Sequence, residues 1–221
     1  LKVRFLLSPL ILTSLLFLVG TTSFAQKPYV NYLRQNADGD EGLEKLSDAL
    51  EGVSPKETIP HLGPLQFLIQ EGWNSPHPEI EMLMQQNSKA LAAAVAAGEA
   101  EATLPPAGDL NAPVPSLIDV RAIYQLIAAE SRRLEGGGNA PGAAKTALDL
   151  MAFSDIFRTS PKQSLLTRLM GLRGVELSLT LLESQIKREQ LSDAQIRRIG
   201  TRLYQLDFSR ETLAKHLAHE V

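Results

Sequence analysis

An all-α fold is predicted for this 221-residue chain by three features of its text. No stretch of useful length alternates apolar and polar residues with period two, the mark of a half-buried strand. Aromatic residues are few, with seven Phe, four Tyr and one Trp. The 44% apolar content therefore rests mainly on Leu, Ile, Val and Ala, which favours packed helices over sandwiches. Three helix starts are also unusually clear: Ser116 with Asp119, Ser160 followed by Pro161 and Gln163, and Ser192 with Gln195 each fit a capping box. A chain of this length can form one sizeable core or two small ones.

The opening LKVRFLLSPLILTSLLFLVGTTSFAQ has basic Lys2 and Arg4, an apolar run from Phe5 to Val19, and small residues ahead of Gln26. This is the layout of a secretory signal peptide. The run is shorter than the ~20 residues that span a bilayer and is interrupted by Ser8, Pro9, Thr13 and Ser14, which favours a cleaved leader over an uncleaved anchor. Ser23 and Ala25 stand where a signal peptidase needs small side chains, so residues 1–25 are expected to leave by cleavage after Ala25. The protein is then expected in the periplasm or secreted. The leader holds two basic residues and no acid, so the mature chain, with 20 basic against 25 acidic side chains, carries a net charge of −5. A mildly acidic chain of this kind disfavours nucleic acid as a partner. With no cysteine it has neither a lipid-attachment Cys nor a disulfide, so stability must come from packing.

Residues 26–103 read as an N-terminal helical region with a Pro-rich segment. From Gln26 to about Asp40 the text is polar and mixed; EGLEKLSDALEG then repeats Leu43, Leu46 and Leu50 and ends at Gly52, a short amphipathic helix. Between 54 and 78 stand Pro55, Pro60, Pro64, Pro76 and Pro78, leaving room for one short helix at Leu65, Leu68 and Ile69. Residues 79–101 predict a helix with Ile80, Met84, Leu91 and Val95 on one stripe and Ala over most of the rest, a small face that lets a neighbour approach closely. LPPAGDLNAPVP makes 104–115 a linker. The C-terminal helix-hairpin region, 116–221, is expected to hold helices near 117–135, 140–157, 161–189 and 193–206, with a last one from about Arg210 onward. The stripe of the 161–189 helix is Leu165, Leu169, Leu172, Leu179, Leu182 and Ile186, read as its buried face and as the spine of this half.

A helix, a short Gly-containing turn, then a helix with Ala144 at its first packing position, Leu148, Met151 and Ala152 in later turns and Pro161 beyond, resembles a tetratricopeptide hairpin. The consensus Trp and Gly-Tyr pair are absent from 117–135. As a whole, residues 116–221, from SLIDVRAIYQLIAAESRRLEG through SLLTRLMGLRGVELSLTLLE to LSDAQIRRIGTRLYQLD, resemble an uncharacterised family of exported bacterial all-helical proteins built from such hairpins. The resemblance implies the fold and the compartment and assigns no activity. Longer members of that group imply a continuation beyond Val221.

Four stretches invite a chemical reading. GGNAPGAAKT has the look of a phosphate-binding loop, but there Gly directly precedes Lys and the loop follows a strand. Here Ala143 and Ala144 separate Gly142 from Lys145 and Thr146, turning Lys145 by about 200° on a starting helix, and the preceding Leu117, Val120, Tyr124, Ile127 and Leu134 are spaced helically. The run is read as a connector, with Gly136 ending one helix and Asn139 and Pro141 opening the next, and no nucleotide is expected. In NADGDEGLEKLS, Asn36, Asp38 and Asp40 stand like the first three ligands of a calcium loop, with Leu43 at the apolar position; Glu41 where Gly is needed and Ser47 where a bidentate Glu is needed favour a solvated turn. His216 and His219 with Glu220 can share a helix face, yet no recognised zinc pattern is present and His61 and His77 lie far away in sequence, so a helix-end pair is favoured over metal. Glu176 interrupts the leucine stripe three residues after Arg173, so it is a candidate buried acid or, more simply, a helix-edge ion pair.

No catalytic, cofactor-binding or metal residue is therefore assigned. The function expected is an exported, non-enzymatic scaffold whose stacked helix pairs bind another protein or peptide in the cell envelope. The competing expectation is an envelope hydrolase or metal-dependent enzyme using Glu176 or the His216 pair; it lacks the several convergent polar residues that catalytic sites display.

Overall fold

The computed structural model describes residues 26–107, 113–187 and 191–205, and all regular structure among them is helical. The leader and the helix expected from Arg210 lie outside the described residues.

The polar text before Asp40 forms α1 (Gln26–Ala37), because Tyr29, Val30, Leu33 and Ala37 recur on one face and are buried. Asp38 and Gly39, with φ of 37° and 84°, turn the chain. The Asp40 carboxylate then caps α2 (Glu41–Gly52) by accepting the Leu43 N–H at 3.1 Å. The proline-rich stretch folds as α3 (Pro55–Thr58), a 3₁₀ turn (Ile59–His61) and α4 (Leu62–Glu71), whose buried face is Leu65, Leu68 and Ile69 as the spacing predicts.

The single helix expected over 79–101 is two, α5 (Pro78–Gln86) and α6 (Ser88–Glu99). Asn87 makes the break. Fully buried, it donates its amide to the Leu83 carbonyl at 2.8 Å, beside the backbone N–H that the same carbonyl accepts at 3.1 Å, and accepts the Ser54 N–H at 2.9 Å, so the turn between the two helices is tied to the segment before α3. On α6 the buried residues are Ala90, Ala94, Ala97 and Gly98, while Leu91 and Val95 are half-buried.

Four helices follow: α7 (Leu117–Gly136), α8 (Ala140–Thr159), α9 (Leu165–Lys187) and α10 (Asp193–Gln205). Ser116 caps α7 through the Asp119 N–H, and Gln195 of α10 reaches back to the Ser192 N–H at 2.8 Å. Ser160 does not cap α9. Its hydroxyl donates to Ile156 in the last turn of α8 and accepts the Leu104 N–H, and Gln163 donates to the Pro105 carbonyl. The helix therefore starts later than the expected 161, with Ser164 accepting from Thr167. These bonds, with Ala107 N–H to the Lys162 carbonyl, also dock the first residues of the 104–115 linker, and Leu104 is buried. One hydrophobic core consequently runs from Tyr29 to Ile199: α6 packs on α2 and α8, α4 on α7, and α8 between α7 and α9.

The leucine stripe of α9 faces the other way from the sequence reading. Only Leu182 is buried; Leu165, Leu169 and Ile186 are 46%, 51% and 41% exposed, and Leu172 and Leu179 are half-buried. The inward face is Thr167, Gly171, Gly174, Ser178 and Gln185, filled out by Met170, Val175 and Leu181. The reason is distance. A Cβ on Gly171 would lie 2.5 Å from the Arg158 backbone N, one on Gly174 would lie 2.0 Å from Ser154 Oγ and 2.7 Å from the Tyr124 ring, and Ser178 Oγ donates to the Ala147 carbonyl at 2.7 Å. Leucines cannot enter so narrow a gap at these positions, and the larger buried residues Met170, Val175, Leu181 and Leu182 flank it. The large side chains of this interface come instead from Tyr124, Phe153 and Phe157, whose rings pack edge to face.

Across the lower half of the bundle runs a buried polar network. Arg132 donates to the Ile69 carbonyl at 2.8 Å, to Glu135 at 2.6 Å and to Ser184 at 2.8 Å; Ser184 donates to Glu135, and Gln185 reaches Ser131, whose hydroxyl donates to the Ala143 carbonyl. α4, α7, α8 and α9 are thereby joined through side chains.

Gly174→Ala and Gly171→Ala are each expected to lose ~1–3 kcal/mol by overpacking, whereas Gly200→Ala in α10, with open space around it, should gain up to about 1 kcal/mol from helix propensity. Urea melts that rank the three alike would refute the close approach of α8 and α9. Glu135→Ala should cost ~3–5 kcal/mol by leaving the Arg132 charge buried without its carboxylate. The double change Arg132→Met with Glu135→Leu should cost clearly less than that single change, a difference read by the same melts.

Candidate functional site

Two surface features follow from the small inward faces of α6 and α9. The first is an open groove of about 320 Å³ where α6, α7 and α8 meet. Because alanines carry the α6 contact, Leu91 and Val95 are displaced to its edge and line the groove together with Ile127; Glu99, Glu130 and Asp149 stand round it. The rim is largely neutralised. Lys145 Nζ lies 2.9 Å from Asp149 and 3.5 Å from Glu99, and Arg133 holds Glu130 through two bonds of 2.7 and 2.8 Å. Burial still raises the Asp149 carboxyl above its usual range despite Lys145, and the bond to Asp149 raises Lys145. The Thr146 hydroxyl is spent on the Gly142 carbonyl. A groove at the small end of ligand-pocket volumes, with apolar walls and paired charges, suits an apolar side chain and presents no nucleophile with a base beside it.

The second feature is the outer side of α9, where Leu165 and Leu169 near the N-terminal end and Ile186 near the C-terminal end are exposed, with half-buried Leu172 between them, while Leu179 packs against the core. Leu166, 39% exposed, widens its N-terminal end. The exposed aliphatics therefore gather in the first turns of α9, and exposed Glu176, Thr180 and Glu183 separate them from Ile186.

The stretches singled out in the sequence are scattered over these surfaces. Asn139 caps α8 by accepting the Gly142 N–H at 3.0 Å, so the glycine-rich run opens a helix, and Lys145 is tied to carboxylates on the groove rim. Asp40 is the cap of α2, Asn36 donates to the Tyr32 carbonyl, and Ser47 lies in the core, so that run does not converge on one point. Glu176 is an exposed residue paired with Arg173 at 2.5 Å, on the outer side of α9 and away from the packed face. His77 packs its ring edgewise on Trp73 at 5.2 Å; His216, His219 and Glu220 lie outside the described residues. Among the described residues no three His, Asp or Glu side chains gather as a metal site. Sequence reasoning missed the groove, whose walls come from three helices far apart in the chain. It also missed that α9 has two faces, although the alternation of Gly171, Gly174 and Ser178 with the leucines is visible in the text.

Compared with known proteins, the chain matches no family model, no curated relative and no solved structure.

Among the carboxyls of the described residues, Asp119 is the most displaced. Burial in the first turn of α7 pushes it up to about 6 from 3.8, against a smaller opposing pull from Ser116. The helix dipole, worth ~0.3–1 kcal/mol for a charge at this end, would favour ionisation, so desolvation wins by magnitude. A carboxyl raised on folding stabilises the fold below its unfolded value, and that contribution is lost as pH rises through the folded one. Relative to Asp119→Asn, the unaltered chain should lose about 3 kcal/mol of stability between pH 4 and 6 and little more above. Parallel pH series of thermal melts check this; equal slopes in both proteins would refute it.

Proposed function

We propose that this chain is an exported, non-enzymatic helical scaffold, cleaved after Ala25, that offers an apolar helix face to another protein or peptide in the cell envelope. The observation that carries the reading is the outward leucines in the first turns of α9. Leu165, Leu166 and Leu169 expose three large aliphatic side chains within two turns, and with half-buried Leu172 they match the i, i+4, i+7 anchors of a docking helix. The groove beside Leu91 and Val95 adds a second, smaller apolar recess. Tetratricopeptide-like stacking of helix hairpins is supported by the order of contacts. Gly171, Gly174 and Ser178 along α9 meet Arg158, Ser154 and Ala147 in descending order along α8, as neighbouring helices joined by a short connection do.

A photo-crosslinking residue placed at Leu165 or Leu169 in cells making the full chain should yield discrete protein adducts, while one at exposed Lys89 on α6 should not. Intact mass of the exported product should lack residues 1–25. Equal labelling at all three positions would sink the docking reading, and retention of the leader would sink the cleaved one.

A further inference from the structure

We propose that the N-terminal end of α9 binds a small oxyanion, a carboxylate or a phosphate, through the Arg168 guanidinium and the N–H groups of the helix's first turn. This goes beyond the docking reading and does not depend on it. The observation that carries it is a buried cation without an acid. Arg168 is only 8% exposed. Its Nε donates to the Gln163 carbonyl at 3.3 Å, while Nη1 is buried with no hydrogen-bond partner, and no ion pair of the described residues includes this side chain. A guanidinium is rarely taken out of water unless a carboxylate or a similar group meets it, because its lost hydration is not otherwise replaced. Arg132, buried to a similar degree, follows that rule, with Glu135 at 2.6 Å.

The surroundings of Arg168 suit an anion. Gln163 immediately precedes Ser164, the residue before α9, so the bond to its carbonyl folds the guanidinium back beside the first turn of the helix. There Ser164 takes up the Thr167 N–H through its hydroxyl and the Arg168 N–H through its carbonyl. The N–H groups of Leu165 and Leu166 precede the first intrahelical bond and are left for another acceptor, and both residues are exposed, so solutes reach this end. The first turn holds no acid, and Lys162 stands exposed just before it. The helix dipole therefore adds to two cations instead of being offset by a carboxylate. The carboxyls of the neighbouring helices are engaged elsewhere. Asp155 on α8 holds Arg158 at 2.7 Å and Arg202 at 3.2 Å. Asp119 at the start of α7 is raised by burial, opposed only by its hydrogen bond to Ser116, so no cation reaches it. An oxyanion has two or more oxygens to share between a guanidinium edge and a helix end, which is the pairing that this corner of the bundle lacks.

The test is thermal melting of the purified full chain in chloride buffer and in the same buffer with about 20 mM inorganic phosphate or sodium acetate at matched ionic strength, a large excess over a millimolar Kd. The unaltered chain should melt several degrees higher with at least one of the two probes, and which of them acts assigns the site to phosphate, to carboxylates or to both. Arg168→Met should melt in chloride no lower than the unaltered chain, because it removes a buried charge without a partner, and should lose the oxyanion shift. Lys187→Ala, at the other end of α9, should keep the shift, which separates binding from the general stabilisation that phosphate gives folded proteins. Calorimetric titration of phosphate and of acetate into the unaltered chain should show saturable binding of the probe that shifts the melt, a readout that requires no variant to fold. Absence of saturable binding for both probes overturns the proposal. So does an equal shift in Arg168→Met, and so does Arg168→Met melting far below the unaltered chain in chloride, since the guanidinium would then be satisfied by the fold's own groups.

Discussion

The close approach of α8 and α9 is the constraint from which the rest of this structure follows. Once Gly171 and Gly174 lie against the Arg158 backbone and the Ser154 hydroxyl, the centre of the seam between the two helices has room only for small side chains, and larger residues stand beside it. Its contacts are backbone on backbone, stitched by Ser178 to the Ala147 carbonyl, and its aromatic volume is supplied from one side by Tyr124, Phe153 and Phe157. The five leucines and isoleucine of α9's heptad row and its flank cannot share that seam. α6 repeats the arrangement on a smaller scale. Gly98 would place a Cβ 2.7 Å from the Phe153 backbone N, alanines take the contacts with α2 and α8, and Leu91 and Val95 are left at the edge of a groove. Small residues inside and large aliphatics outside thus recur on both sides of α8, which is the helix at the centre of the bundle.

The buried network around Arg132 does a different job. Close helix packing is weakly directional, since small residues tolerate sliding along a helix pair. A guanidinium bonded to the Ile69 carbonyl, Glu135 and Ser184 fixes α4, α7 and α9 to one relative position, because any slide would strand a buried charge. Such a network adds registry more than net stability, as the cost of desolvating both ions offsets most of their attraction. Arg133 and Glu130, one residue away and spaced the same way, make a half-exposed pair that holds nothing in place.

Those two pairs show where legibility in the text ended. ESRRLE gives each arginine one glutamate three residues away, Glu135 for Arg132 and Glu130 for Arg133, and nothing local says which pair is buried; the answer depends on α4, about sixty residues earlier. The same limit applies to α9. Amphipathic reasoning assigns the strongest apolar stripe to the core, and that works for α2, α4 and α7, whose partners admit large side chains. It fails for α9 because the inward face is chosen by how near α8 comes, a property of the pair. Helix starts were legible where the cap is local, at Ser116 and Ser192, and misread at Ser160, whose hydroxyl is claimed by Leu104 from the linker. The helix break at Asn87 likewise coincides with a bond to a distant residue, the Ser54 N–H. The α1 stripe of Tyr29, Val30, Leu33 and Ala37 was present in the text but diluted by polar neighbours.

These misreadings bear directly on what the molecule can do. A leucine row pointed at the core would have been a structural spine, and the chain would have shown the solvent only a mildly acidic, unremarkable surface. With Gly171 and Gly174 turned inward, Leu165, Leu166, Leu169 and Ile186 are left exposed, and Glu176 and Glu183 between them pair with Arg173 and Lys187. Under the docking proposed above, Glu176 and Glu183 disfavour a helix that offers acids at the same layers. Their exposed ion pairs contribute little to the fold. Stability resides in the glycines and serines on the inward side, so the fold and the proposed docking can be altered separately by substitutions on opposite sides of one helix.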